Sequence, residues 1–192
     1  MEPFMFVAAS VALLITPGPT NTLLATSGAA IGVRRSLPLL MGELGGYLAA
    51  IFILRLIAGP AIAATPAIEL ALRMMVAAYL LYLALKLWQQ GSVQLDAGRP
   101  VTFGRVFVTT LFNPKGIVFA FTILPQDMEL RGLAAWLAAL ALIIPSIGSL
   151  WIATGSSLRH GSQGRITPTV VYRISALALT VLAGAVSAHA FM

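Results

Sequence analysis

Runs of about 20 apolar residues, parted by Gly, Pro or charge, set the pattern of this chain, and that is the length at which a helix crosses the hydrocarbon core. Six such runs predict six spans: Pro3 to Ser27, Leu37 to Ala58, Ala67 to Trp88, Phe103 to Pro125, Gly132 to Ser156 and Thr169 to Phe191. The third has no internal breaker from Met74 to Leu87. The opening Met1-Glu2-Pro3-Phe4 lacks a basic n-region and its apolar run outlasts a signal h-region, so the first run is expected to be a retained span.

Two of the runs carry helix-breaking segments, Thr16-Pro17-Gly18-Pro19-Thr20-Asn21 in the first and Asn113-Pro114-Lys115-Gly116 in the fourth. Proline has no N–H to give a helix interior and its ring clashes one turn back, so each segment interrupts its helix and frees backbone polar groups. Lipid cannot satisfy those groups; irregular backbone at bilayer depth is tolerated where protein buries it or a watery cavity meets it. Breaks at matching places in two halves are a pointer to a transporter site. The alternative is a pair of proline kinks repaired by neighbouring helices.

Basic residues near span ends accumulate on the cytoplasmic side. Here they gather at the odd links: Arg34 and Arg35 after the first span, Lys86, Arg99 and Arg105 around the third link, and Arg159, Arg165 and Arg173 around the fifth. The even side offers Arg131 and at most Arg55 and Arg73. Both termini are therefore expected outside, and three spans per half make the halves insert in opposite orientation. The expected fold is an all-α integral membrane protein of six transmembrane helices, arranged as two inverted three-helix repeats with helices one and four broken. Residues 1–88 form the first repeat, 89–102 a cytoplasmic linker with Gly91, Gly98 and Pro100 at turns, and 103–192 the second.

Composition agrees with this and narrows the chemistry. The chain is 59% hydrophobic and 9% charged, against roughly 25% charged in an ordinary soluble domain. Its net charge of +6 does not indicate nucleic acid, because the basic residues are few and do not interleave with aromatics on a polar face. Cysteine is absent, which excludes thiol and thiolate-metal chemistry. His160 lies in a polar loop and His189 almost at the end, too far apart to read as a ligand pair. No His-Glu-x-x-His, Gly-x-Ser-x-Gly or phosphate-loop pattern occurs, so neither an enzyme nor a cofactor is expected.

The candidate residues surround the breaks. The start of a resumed half-helix carries about +0.5 of partial charge and free N–H donors, suited to a carboxylate. Carbonyls of the preceding half-helix suit an ammonium or a coupling cation, so the two ends together suit a zwitterion such as an amino acid. Thr16, Thr20, Asn21 and Asn113 add uncharged donors and acceptors. Lys115 lies about ten residues into its span, roughly 15 Å deep, where an ammonium costs on the order of 3 kcal/mol or more. It either holds a cargo carboxylate or joins a proton-coupled pair, or else it caps loose carbonyls or snorkels. Glu43, about 9 Å in from the cytoplasmic end, reads equally as an ammonium receptor or proton carrier and as an interfacial carboxylate paired with Arg34 or Arg35.

Gly42, Gly45 and Gly46 bare one helix face for close packing or a cavity wall, with the Tyr47 hydroxyl turned to solute or to a neighbour. Glu69 and Arg73 read as an i, i+4 ion pair, and Arg55 as a snorkelling side chain. Asp127, Glu129 and Arg131 form a solvated outer loop. Pro145, Ser146, Gly148 and Ser149 suggest a kink with close packing in the fifth span.

Pro17-Gly18-Pro19, the loop Gly32 to Arg35, the pair Gly42 and Gly46, the run Tyr79-Leu80-Leu81-Tyr82-Leu83 and Phe112-Asn113-Pro114-Lys115 through Phe121 to Leu124-Pro125 carry a resemblance. In that order they resemble the lysine exporter and homoserine/threonine resistance family, over most of residues 13 to 126. The resemblance implies a six-span exporter of amino acids or related metabolites in the bacterial inner membrane, driven by the proton gradient, with a homodimer as its assembly. Family members commonly carry an acidic or amide residue straight after Pro-Gly-Pro, where this chain has Thr20 and then Asn21. Many carry a carboxylate just after the second glycine of span two, where this chain has Tyr47, with Glu43 one turn away.

The candidate binding set is thus Thr16, Pro17, Gly18, Pro19, Thr20, Asn21, Glu43, Gly46, Tyr47, Asn113, Pro114 and Lys115, with lipid, a small zwitterion and a proton as partners and no metal. A channel of similar architecture is the competing expectation, since broken helices with exposed carbonyls also line pores.

Overall fold

The computed structural model describes residues 2–89, 100–125 and 130–159 together with 173, 176, 177, 179–181, 183 and 184. Residues 90–99 of the expected linker, Asp127, Glu129, His160, Arg165, His189 and most of the sixth expected span lie outside the described residues, as do the side chains of Glu69, Arg73 and Arg131. Every regular element among the described residues is helical.

The first expected span is two helices, α1 (Pro3–Ile15) and α2 (Pro19–Ile31), bent by 63° across the Pro-Gly-Pro segment. Pro19 can open α2 because a first-turn residue needs no N–H, and Gly18 before it is extended. A short α3 (Val33–Ser36) follows at Gly32, whose φ of 82° is a left-handed conformation open to glycine. Ser27 and Ser36 close this corner with a 2.7 Å hydroxyl bond.

Next come α4 (Leu39–Ala64) and α5 (Pro66–Gln89), with Thr65 alone between them. The second helix thus continues past the expected end at Ala58, through Gly59 and Pro60. The fourth expected span is α6 (Phe103–Leu111), α7 (Lys115–Val118) and a π-helical turn, Phe119–Ile123, that α7 enters without interruption. α6 begins where the Thr102 hydroxyl accepts from the Arg105 amide at 3.2 Å, and the bend at Phe112-Asn113-Pro114 is 54°. α8 (Leu130–Arg159) is one helix with Pro145 inside it.

Among the described residues, Val33–Ile57 and Gly132–Ser157 are long and apolar enough to cross a membrane, and each bent pair passes as one further span, giving up to four. The third expected span corresponds to α5. Leu56, Ile57, Leu142 and Val181 point outward, as lipid-facing side chains do.

Glycines bring the helices together. α2 lies along α8 in a reciprocal crossing, in which a Cβ on Gly28 would strike the Ile152 carbonyl and a Cβ on Gly155 would strike that of Ala25. α4 lies along α6 through Gly42 and Gly46, where added Cβ atoms would come within 3.0 Å of the Phe103 carbonyl and 2.8 Å of that of Phe107. In lipid, where apolar surface gains little by self-association, such backbone approach is a main source of helix affinity. α1 packs against the π-turn while α2 packs against α6. The part before each break therefore neighbours the part after the other, as in antiparallel segments, and the two breaks meet in the interior. Leu13, Leu14, Leu24, Leu80, Ile123, Leu140, Ile144 and Ile152 fill the core around them.

Candidate functional site

At the first break the carbonyls of the last turn of α1 lose their helical partners, because Pro17 has no N–H and α2 turns away. Two side chains from elsewhere serve them. Asn21 Nδ2 donates to the Leu14 and Thr16 carbonyls, at 2.8 Å each, and Lys115 Nζ donates to the same two, at 3.5 Å to Leu14 and closer to Thr16. Both side chains are 1% exposed. The partial negative charge of a helix C-terminus offsets part of what burying an ammonium costs. Gly18 lies beside this lysine, where a Cβ would be in ordinary contact with its Cε at 3.4 Å. Of the roles expected for Lys115, the geometry displays the capping of loose carbonyls; its ammonium does not snorkel.

At the second break Asn113 is the hub. Its Oδ1 accepts from the Lys115 amide at 3.0 Å and its carbonyl from the Gly116 amide at 2.8 Å, so the start of α7 is capped from within the break. Its Nδ2 reaches across to the Thr20 hydroxyl at 3.1 Å and to the Tyr47 hydroxyl at 3.4 Å. Thr20 in turn meets Thr110 at 3.0 Å, and Thr110 donates to the Val106 carbonyl at 2.8 Å. A hydroxyl has one proton to give. With that of Thr110 on Val106, Thr20 must be the donor between the two threonines, and the direction runs from Asn113 through Thr20 and Thr110 to the backbone.

The network therefore joins α2, α4, α6 and the second break through Thr20, Tyr47, Thr110 and Asn113, all buried. Tyr47 is held edge-on to Phe119, with ring centroids 5.7 Å apart. The other expected residues take lesser parts. Thr16 is buried, but its hydroxyl bonds back to Ala12 at 2.8 Å and its contribution is its carbonyl. Pro17, Gly18 and Pro114 are half-buried, and Pro19 is exposed. Gly46 is packed on Phe107 and Thr110, so of its two expected uses the observed one is helix approach.

Glu43 is 1% exposed, whereas Arg34 and Arg35 are exposed, and no ion pair joins them among the described residues. Of its two open readings the geometry does not display the interfacial pairing: α4 turns this side chain inward, against α8. Its Oε2 has no hydrogen-bond partner and lies where a Cβ on Gly148 would be, beside Leu24 and Leu40. Arg55, expected to snorkel, is half-buried; it donates from Nε to the Ala120 carbonyl at 3.1 Å and from its terminal nitrogen to those of Leu124 and Pro125, at the end of the fourth expected span, closing the π-turn.

Sequence reasoning missed Thr110 and Gly148 as neighbours of the site. Thr110 lies one turn before Asn113, on a spacing that a helical reading could have flagged. Gly148 belongs to the segment that reads as a kink, and its neighbours Ser146 and Ser149 bond back to Leu142 and Pro145, at 2.6 and 2.7 Å. Nothing local announces that it faces Glu43.

The chain is similar to known transporters. A cysteine/O-acetylserine efflux protein of Salmonella choleraesuis is 30% identical over 141 residues, 70% of this chain and 70% of that one. The protein of the same description from Klebsiella pneumoniae is 29% identical over 154 residues, 76% of this chain and 75% of its own. No solved structure matches. Residues 11–189 match the LysE type translocator family, which takes in both breaks, Glu43 and the hydroxyl network. The chain belongs to the LysE type translocator family and is a membrane transport protein rather than an enzyme.

Proposed function

We propose that this protein exports a small amino acid across the bacterial inner membrane, by alternating access around the two facing breaks, with the proton gradient as driving force. The observation that carries the reading is the meeting of two opposed helix breaks around a buried ammonium. Six spans in two inverted repeats, residues 1–88 and 103–192 joined by 89–102, with both termini outside, are the architecture we infer. The neighbouring of α1 with the π-turn and of α2 with α6 supports it.

In this reading the cargo carboxylate goes to the start of α2. Gly18 has no side chain to cap that end, and the amides of Thr20 and Asn21 have no partner one turn back within the helix. Lys115, whose ammonium lies at the same break, is the cation we assign to a carboxylate oxygen. Tyr47, Asn113, Thr20 and Thr110 are uncharged, which suits a neutral side chain on the cargo. The names of the relatives point the same way, to cysteine or O-acetylserine. Glu43, apart from this network and without a hydrogen-bond partner on Oε2, is the group we assign to the coupling proton.

The test is transport by purified protein in liposomes. Labelled O-acetylserine or cysteine should move when a pH gradient is imposed, and Lys115→Ala should slow that movement while inserting normally. Counterflow separates a carrier from a channel, because a carrier transiently accumulates label against unlabelled solute at zero net gradient. Wild-type vesicles that move no amino acid, or that leak without counterflow, would remove this reading.

A further inference from the structure

The Leu14 and Thr16 carbonyls form a compact acceptor pair at the end of α1, in the buried core, and a primary ammonium already sits on it. That ammonium comes from the other half of the chain, 99 residues from Thr16 along the sequence. It arrives on an unbranched aliphatic stem that passes Gly18. We propose that Lys115 is a tethered stand-in: it occupies the receptor for the cargo ammonium in the empty transporter and is displaced from it when cargo binds. The inference rests on the reading of the cargo as a zwitterion.

Three features argue for exchange rather than a permanent brace. Lys115 is not the pair's sole donor, since Asn21 also donates to both oxygens, at 2.8 Å each. A carbonyl oxygen has two lone pairs, so each can keep Asn21 and take a second donor from either source. The Lys115 bond to Leu14, at 3.5 Å, is at the long limit of a hydrogen bond. One ammonium can therefore replace another with the number of charge-assisted bonds unchanged. The released Lys115, still tethered nearby, is then free to turn fully to the carboxylate of the same molecule. A cargo lacking either charge satisfies one half of the exchange alone, which gives the site a means of preferring zwitterions over simple amines and acids.

n-Propylammonium tests the receptor without its carboxylate partner, with n-propanol as the neutral control. A receptor held by a stand-in binds an outside ligand more weakly in proportion to the time it is filled. If Lys115 fills it nine-tenths of the time, Lys115→Ala should bind propylammonium about tenfold more tightly than the wild type, read by thermal shift or calorimetry. Propanol should bind neither. Lys115→Met, which keeps the stem without the charge, repeats the measurement should the alanine variant fold poorly. The wild type supplies an independent readout, because the chain has two lysines and Lys86 is exposed. Saturating propylammonium should raise acylation of Lys115 relative to Lys86, measured by mass spectrometry.

Equal or weaker propylammonium binding in the variants, propanol matching propylammonium, or Lys115 labelling unmoved by the amine would each overturn the exchange. This outcome is separable from that of the transport assay. Vesicles that carry no amino acid would end the export reading while leaving the amine measurements to decide the stand-in.

Discussion

The Glu43 carboxylate lies against the bare Cα of Gly148, in space that a side chain on α8 would take. That contact couples the carboxylate to the position of α8. Gly148→Ala should therefore drive Glu43 and Leu40 aside, and overpacking of this kind costs about 1–3 kcal/mol. Glu43→Ala should recover part of the loss in the double variant, because the two residues share one space. Thermal unfolding of the four proteins in detergent checks this; additive losses would show that the contact is not the cause.

Glu43→Gln keeps the size of the side chain and removes its capacity to carry charge. Under the proposed coupling, counterflow should persist in this variant while the stimulation of transport by a pH gradient disappears. A gradient response equal to that of the wild type would move the proton elsewhere.

The Asn113 side chain holds three contacts at once, to the Lys115 amide and to the Thr20 and Tyr47 hydroxyls. Asn113→Ala strands the Lys115 amide and breaks the bridge to α2, and a buried unsatisfied group costs about 1–3 kcal/mol. Tyr47→Phe removes one bond of 3.4 Å and should be the milder change. Unfolding and transport measured in parallel should rank the two in that order.

The crossing of α2 with α8 predicts a strong size limit. Ala at Gly28 or Gly155 would collide with main chain, which cannot swing aside as a flexible side-chain end can. Each should destabilise by about 1–3 kcal/mol or more, and the double variant by less than the sum, since separating the helices once relieves both clashes. The midpoint of detergent unfolding gives the comparison.

Arg55 presents a fork of donors to three carbonyls. Arg55→Leu should loosen the π-turn and lower the melting temperature, and Arg55→Lys should recover part of the stability, because one ammonium cannot match the planar guanidinium. Full stability of the leucine variant would show that the carbonyls find other partners.

Much of the fold was legible because its causes are local. Pro17 and Pro114 lack the N–H that a helix needs wherever they sit, so the breaks could be placed before any packing was known. The glycines of α4 announced a close neighbour, though not that it would be α6. The partners of Arg55 and the choice between the two readings of Glu43 were not legible, for one reason. An isolated charged residue in an apolar run gives no sign of which direction it faces, and both face protein groups supplied by segments distant in sequence.

By itself the amino-acid order determined that this chain lives among lipids, where its helices are interrupted, and which few polar groups accompany the interruptions. These follow from hydropathy, proline stereochemistry and composition, all properties of short stretches. The tertiary arrangement alone decided that Lys115 rests on the carbonyls of Leu14 and Thr16, that Asn113 speaks to Thr20 and Tyr47, and that Gly148 makes room for Glu43. The pairs involved lie from 66 to 105 positions apart along the chain. Helix crossings select such pairs through which surfaces can approach closely enough, and no local pattern encodes that choice.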